Sequence, residues 1–249
     1  MHHDRDNRQE RPNLKAVVFD LDGTLTVLAV PLDAMSRETK QYLYDNGLPK
    51  EMLDPSDGIS SSIFKAKSYF LSHGVVLAQW QQIEEYIESM LSEYEAGAAR
   101  DVRPIEGALD AVRVVKSKGL KTAILTNNGR QAVDIVLEII PMASLFDVIQ
   151  TRNESPTPKP FPDGLMAIVN KLGVKSTEAL YVGDALIDAV AAKRAGIVFW
   201  GVTTGETSRE TLLSAGAELV AGSLHEMVPS VDARLRGHPR SASKPPSGN

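Results

Sequence analysis

One stretch constrains this chain more than any other: Ala16-Val17-Val18-Phe19-Asp20-Leu21-Asp22-Gly23-Thr24-Leu25-Thr26. Its short apolar run, rich in β-branched residues, predicts a buried strand over Lys15–Asp20. Two carboxylates follow, one residue apart, with a glycine and a threonine behind them. A strand that ends in acids does not run on into a core. It presents them at its carboxyl end, where open α/β sheets bind their ligands. Gly23 lets the chain turn sharply there. The simpler alternative is an ordinary strand and turn with the aspartates capping it, so the partners downstream decide.

The rest of the chain alternates around that strand. Helices are predicted at Glu106–Ser117, Arg130–Ile139, Phe161–Leu172, Leu186–Ala195, Arg209–Ser214 and Leu224–Val228. Strands are predicted at Lys121–Thr126, Val148–Thr151, Ala179–Val182 and Ile197–Val202, with an edge strand at Glu218–Ala221. A βαβα alternation calls for a parallel sheet covered on both faces. From Val27 to Arg100 the pattern changes: apolar residues such as Ile83, Ile87, Met90, Leu91 and Tyr94 recur at helical spacing, and no strand stands out. Another helix fits between Gly58 and Gly74. Ala96-Gly97-Ala98-Ala99-Arg100 reads as the return linker. The expected organisation is therefore a loose tail at 1–13, a core at 14–28 and 101–235, a helical insert at 29–100, and a disordered Pro/Ser/Gly-rich tail at 236–249. Hinges are expected at Val27–Pro31 and Ala96–Arg103, where insert and core meet.

Composition narrows the function classes. With 249 residues the chain is long enough for one large domain carrying an insert. A net charge of −5 provides no broad basic field for nucleic acid or anionic lipid. No apolar run approaches the ~20 residues of a membrane span. The polar start Met1-His2-His3-Asp4 has no signal-peptide character, which makes the cytoplasm the expected compartment. No cysteine is present, so disulfides and thiolate metal sites are excluded.

Three further groups fall where strands should end. Thr126-Asn127-Asn128-Gly129 offers a hydroxyl, amides and backbone N–H groups to an anion, or else caps a helix. Lys159, between Pro158 and Pro160, is a cation on a stiff backbone, and could equally be a solvated lysine. Gly183-Asp184 ends an apolar strand, and Asp188 follows one helical turn later; both acids would also suit a helix N-terminus. A parallel sheet would bring Asp20, Asp22, Asp184 and Asp188 to one edge. Carboxylates that close repel unless a cation joins them. Hard oxygen ligands that leave room for water and phosphate suit Mg²⁺. With Thr126 and Lys159 opposite, the assembly meets the needs of phosphoryl transfer through an aspartyl phosphate.

Taken in order, Asp20–Thr24, Thr126, Lys159 and Gly183–Asp188 resemble the four motifs of the haloacid dehalogenase-like hydrolase superfamily, in its phosphatase branch. The resemblance spans about Lys15 to Val228. It implies an α/β fold: a Rossmann-like parallel sheet core, strand 1 central, with an inserted helical cap of the C1 type. It also implies roles. Asp20 would attack phosphorus, and Asp22 would serve as acid and then base. Thr126 and Lys159 would hold the phosphoryl oxygens, and Leu21, Asp22 and Asn127 would lie around them. Mg²⁺ would be bound by Asp20, the Asp22 carbonyl and Asp184, with Asp188 assisting through water or by orienting Lys159. Dehalogenases lack the second aspartate of the first motif, so Asp22 argues against that activity. The segment Gly201-Val202-Thr203-Thr204-Gly205 is similar to phosphoglycolate phosphatases and pyrophosphatases. The implied function is Mg²⁺-dependent hydrolysis of a small phosphorylated metabolite by a monomer or homodimer, without nucleic acid or membrane partners. A sugar phosphate mutase, a pyrophosphatase and a non-catalytic phosphate-binding module are the alternatives. Arg37, Lys40, Lys50, Lys65, Lys67 and His73 are candidates for contacting a second anionic group.

Overall fold

A computed structural model describes residues 13–205 and 207–235. The two predicted tails lie, but for Asn13, outside the described residues. Strand β1 (Ala16–Phe19) stands in the middle of a six-stranded parallel sheet. Its partners are β4 (Lys121–Leu125), β5 (Val148–Gln150), β6 (Ala179–Gly183), β7 (Val198–Val202) and β8 (Leu219–Ala221). The order across the sheet is β5-β4-β1-β6-β7-β8, so the chain crosses from one side of β1 to the other after β5.

Alternation along the strands divides the core in two. Val17, Phe19, Ile124, Leu180 and Val182 face α4 (Ala108–Ser117), α5 (Arg130–Ile139) and α9 (Leu224–Leu235), which contribute Val112, Val133 and Met227. Ala16, Val18, Ala123, Leu125 and Tyr181 face α6 (Asp163–Leu172), α7 (Leu186–Ala195) and α8 (Arg209–Ser214), which contribute Leu165, Ala192 and Leu212. All four residues of β1 are fully buried, as a strand covered on both faces requires.

Between β1 and β4 the chain forms α1 (Leu32–Asp45), α2 (Ile59–Ser72) and α3 (Leu77–Ala99). These helices bury an apolar cluster of their own around Met35, Leu43, Phe70, Trp80, Ile87 and Leu91. Where the chain leaves and re-enters the core, β2 (Thr26–Val27) pairs antiparallel with β3 (Arg103–Pro104). Two-residue strands are too short to leave a periodic signal, so this pair is not readable from residue pattern.

Two expectations are corrected. The predicted linker at 96–100 is helix as far as Ala99. Alanine favours helix strongly enough to carry Gly97, whose cost there is about 1 kcal/mol, and buried Ala96 and Ala99 add packing. The last helix does not stop at Val228 but passes through Pro229 to Leu235. Val231 and Ala233 are buried on that extension, so packing offsets the hydrogen bond that proline cannot donate.

Trp80 is fully buried and lies against Phe70, with ring centroids 6.0 Å apart. Trp80→Ala should lower the unfolding free energy by about 3–5 kcal/mol, measured by denaturant titration. A loss under about 1 kcal/mol would mean the insert does not depend on that cluster.

Candidate active site

Register brings the site together. Phe19 is level with Ile124 on one side and Val182 on the other. The next row is therefore Asp20, Leu125 and Gly183, and Thr126 and Asp184 lie one residue further, all at the carboxyl edge of the sheet. Lys159 reaches the same edge from the segment after β5. Its Nζ donates to Asp20 Oδ1 at 2.6 Å, to Asp188 Oδ1 at 2.7 Å and to the Tyr181 hydroxyl oxygen at 3.1 Å. Tyr181 in turn donates to Asp188 Oδ1 at 2.7 Å. Lys159, Asp20, Asp184 and Asp188 are all buried.

Buried charge sets the electrostatics. Removal from water pushes the Asp20 carboxyl well above its ordinary range; Lys159 opposes this, while Asp188 and Asp184 add to it. Burial, then Asp188, pushes Asp184 up to about 7. Burial alone would lower the Lys159 pKa, but Asp188 and Asp20 outweigh it and hold the ammonium charged, above its usual value. Burial next to Asp188 and Asp20 keeps Tyr181 a neutral phenol.

The carboxylates suggest where a cation would fit. Oxygens of Asp20, Asp184 and Asp188 lie within 4.8 Å of one another. Asp188 is heavily engaged: Oδ1 takes Lys159 and Tyr181, and Oδ2 accepts from Ala185 N at 3.0 Å. Its hydrogen bonds suit a residue that holds Lys159 in place. Asp184 is steadied by Thr24 Oγ1 at 3.1 Å. A hard cation joining Asp20 and Asp184 would offset both the burial that raises them and the repulsion that adds to it, so the donor set fits Mg²⁺.

Backbone shape leaves room for Asp184. A Cβ on Gly205 would sit 1.8 Å from Asp184 Oδ2, and one on Gly23 would sit 2.4 Å away. Gly23 also has a φ of +78°, which glycine adopts without strain. Its carbonyl accepts from Thr204 Oγ1 at 2.6 Å, which ties the β7 loop to the β1 loop.

The remaining residues fall at different distances from this centre. Asp22 Oδ1 accepts from Leu28 N at 2.7 Å, so that carboxylate faces the chain leading into α1. The Leu21 side chain is fully buried in the core, leaving only its backbone for a ligand. Thr126 Oγ1 accepts from Asn128 N at 3.1 Å. The Asn127 side chain clasps the backbone of Lys159, donating to its carbonyl at 2.8 Å and accepting from its N–H at 2.9 Å. Of the six basic candidates on the insert, Lys67 lines the large cavity between the insert and the sheet edge, about 1320 Å³ in volume. Lys65 is held by Asp54 and Asp57, Lys40 by the carbonyls of Asp54 and Pro55, and His73 stacks on Tyr69. Arg37 and Lys50 do not line that cavity.

Sequence reasoning missed three participants. Tyr181 looked like an ordinary strand residue, and only its hydroxyl's position identifies it. The Gly205 approach to Asp184 was hidden in a segment that only suggested substrates. Arg152 was unremarked, yet its guanidinium is nearly buried between Glu88 and Glu95 of α3.

Gly205→Ala should displace Asp184 without touching the core. Divalent-cation affinity, measured by titration calorimetry, should fall at least about tenfold, in line with losses seen when a ligand's supporting contacts are disturbed. Unchanged affinity would remove Asp184 from the ligand set.

Comparison with known proteins agrees with this geometry. The chain matches the haloacid dehalogenase-like hydrolase family over residues 17–202. It is 27% identical over 222 residues to a phosphoglycolate phosphatase of Pseudomonas savastanoi, covering 86% of this chain and 79% of that one. It is 28% identical over 184 residues to the pyrophosphatase PpaX of Bacillus cereus, covering 74% and 80%. A hydrolase from Pseudomonas syringae superposes with a TM-score of 0.61 at 24% identity, covering 88% of this chain and 98% of that one. With most of its length matched and the sheet, strand order and edge residues in register, the chain belongs to the haloacid dehalogenase-like hydrolase family.

Proposed function

We propose that this chain is a Mg²⁺-dependent phosphatase that hydrolyses small phosphomonoesters through an aspartyl phosphate on Asp20. The observation that carries this reading is the buried Lys159 ammonium shared by Asp20 and Asp188 at the sheet edge. A buried cation there offsets the charge of the carboxylate and of an incoming phosphate, and the relatives named phosphoglycolate phosphatase point to the same substrate class, while the pyrophosphatase points to a related phosphate-releasing reaction. Bound at Asp20, Asp184 and the Asp22 carbonyl, Mg²⁺ would neutralise the phosphate and bring it close to the nucleophile's own negative charge.

The chain's residues then divide the work. An Asp20 carboxylate oxygen forms a bond to phosphorus while the bond from phosphorus to the leaving oxygen breaks. Asp22 gives its proton to that oxygen. In the second half Asp22 takes a proton from water, whose oxygen attacks phosphorus, and the bond to Asp20 breaks. Thr126 and Lys159 hold the phosphoryl oxygens. The helices α1–α3 act as a cap over the cavity that they share with the core, and their movement admits substrate and excludes stray water.

The test separates the two aspartates. With an aryl phosphate and Mg²⁺, the purified protein should release phosphate, and a chelator should stop it. Asp20→Asn should form no phosphoenzyme. Asp22→Asn should turn over about 10²–10⁴-fold more slowly and accumulate a phosphorylated mass after rapid quenching, because an aryl leaving group needs little protonation. A phosphorylated Asp20→Asn protein, or normal turnover by Asp22→Asn, would overturn these roles. Isomerised substrate without free phosphate would indicate a mutase.

A further inference from the structure

Arg152 lies in the loop after β5, outside every motif used above, and its surroundings are unusually complete. Nε and Nη2 donate to the two oxygens of Glu88 at 2.8 and 3.0 Å. Nη1 donates to Glu95 Oε1, and Nη2 to Glu95 Oε2 at 3.1 Å. Nη1 also donates to the Asn127 carbonyl at 2.7 Å. These bonds use all five N–H donors of a guanidinium. Glu95 is 3% exposed, and its other contact is the Gly129 N–H, at 2.8 Å from Oε2. Asn153 adds a bond to Glu88 Oε1 at 2.6 Å and accepts from Arg130 N at 2.7 Å.

Glu88 and Glu95 belong to α3, while Asn127 and Gly129 belong to the loop after β4. The loop carrying Arg152 is itself braced: Glu154 accepts from Thr151 N at 2.7 Å and from Arg130 Nε at 2.8 Å, and Ser155 Oγ donates to the Thr151 carbonyl at 2.9 Å. Asn127 is the next link, because its side-chain amide clasps both backbone groups of Lys159. A continuous polar path therefore runs from α3 through Arg152 and Asn127 to Lys159 and ends on Asp20. Each junction is a hydrogen bond, and all but the Asn127–Lys159 clasp are charge-assisted.

Resting on the phosphatase reading, we propose that Arg152 is a positioning residue: clamped by Glu88 and Glu95 of α3, it seats Asn127, and through Asn127 it sets where Lys159 stands against Asp20. The lysine that holds the phosphoryl oxygens is thus fully placed only while α3 is docked. The insert contributes to building the phosphate-side wall of the site as well as covering it. A lysine at 152 keeps the charge but has only three donors on one atom, so it cannot reproduce the five bonds that the planar guanidinium makes to both oxygens of Glu88, both of Glu95 and the Asn127 carbonyl.

The experiment is a double-mutant cycle on the full chain with an aryl phosphate and saturating Mg²⁺, comparing wild type, Arg152→Lys, Asn127→Ala and the double variant. Arg152→Lys should lower kcat about tenfold and leave KM within about twofold. Asn127→Ala should lower kcat further, and in that background Arg152→Lys should cost nothing more, because both act through one path. Losses that multiply in the double variant, or wild-type kcat in Arg152→Lys, would overturn the proposal. A readout independent of turnover is the exchange rate of the Lys159 amide hydrogen, which donates to Asn127 Oδ1. It should rise at least about tenfold in Arg152→Lys while the β4 amides stay protected; equal rates at Lys159 would also overturn the proposal. Should Arg152→Lys not fold, Glu88→Gln, which leaves the buried Glu95 pair intact, should shift both readouts in the same direction by about two- to threefold; no shift would count against the proposal. An inactive wild type would instead strike at the phosphatase reading, and the exchange measurement would still decide the role of Arg152.

Discussion

A buried ammonium between two buried carboxylates is the constraint on which the rest of this molecule depends. Taking Lys159, Asp20 and Asp188 out of water costs several kcal/mol per ion unless the partners are close and the geometry good. Here the nitrogen lies within 2.7 Å of an oxygen of each acid, and the Tyr181 hydroxyl joins both Lys159 and Asp188. Two carboxylates share that one ammonium, and a third, Asp184, lies beside them with its carboxyl pushed up by burial and by Asp188 to about 7. Three carboxylates grouped around one ammonium could hold a further cation, which is the property a phosphate-handling centre needs.

The fold exists in the form that makes this possible. Parallel strands all end on one edge, and β1, flanked by β4 and β6, puts its acids between a hydroxyl-bearing loop and an acid-bearing one. No residue of the centre has to be carried far from its strand except Lys159, and that one is fixed by Asn127. Glycine supplies the last requirement. Side chains at 23 or 205 would occupy the volume that Asp184 fills.

How legible was this in the sequence? Strand ends followed by acids, a Thr-Asn turn and a lysine between prolines are local signals, and each of them maps to the sheet edge. The strands themselves were readable because both faces are buried and their apolar runs are nearly unbroken. What escaped was set by geometry across long separations. Tyr181 differs from its neighbours only in where its hydroxyl ends. Arg152, Glu88 and Glu95 are three charged residues in a chain where charge is common, and only their convergence gives them meaning. The stretch 96–100 shows the opposite: its small residues suggest a flexible linker locally, while burial of Ala96 and Ala99 keeps the chain helical as far as Ala99.

Glu88 and Glu95 are seven residues apart, two turns of α3, and therefore lie on nearly the same side of the helix. Their separation along the axis is about 10 Å. Both meet the one guanidinium, and each has a separate hold besides, Glu88 on Asn153 and Glu95 on Gly129; a helix fastened at points spaced along its length resists tilting, because tilt strains one of them. On that geometry α3 would be either pinned or unpinned, with little between. Any opening of the cavity would be stepwise, a release of a whole seam at once, and the time spent open would be set by how often that seam lets go.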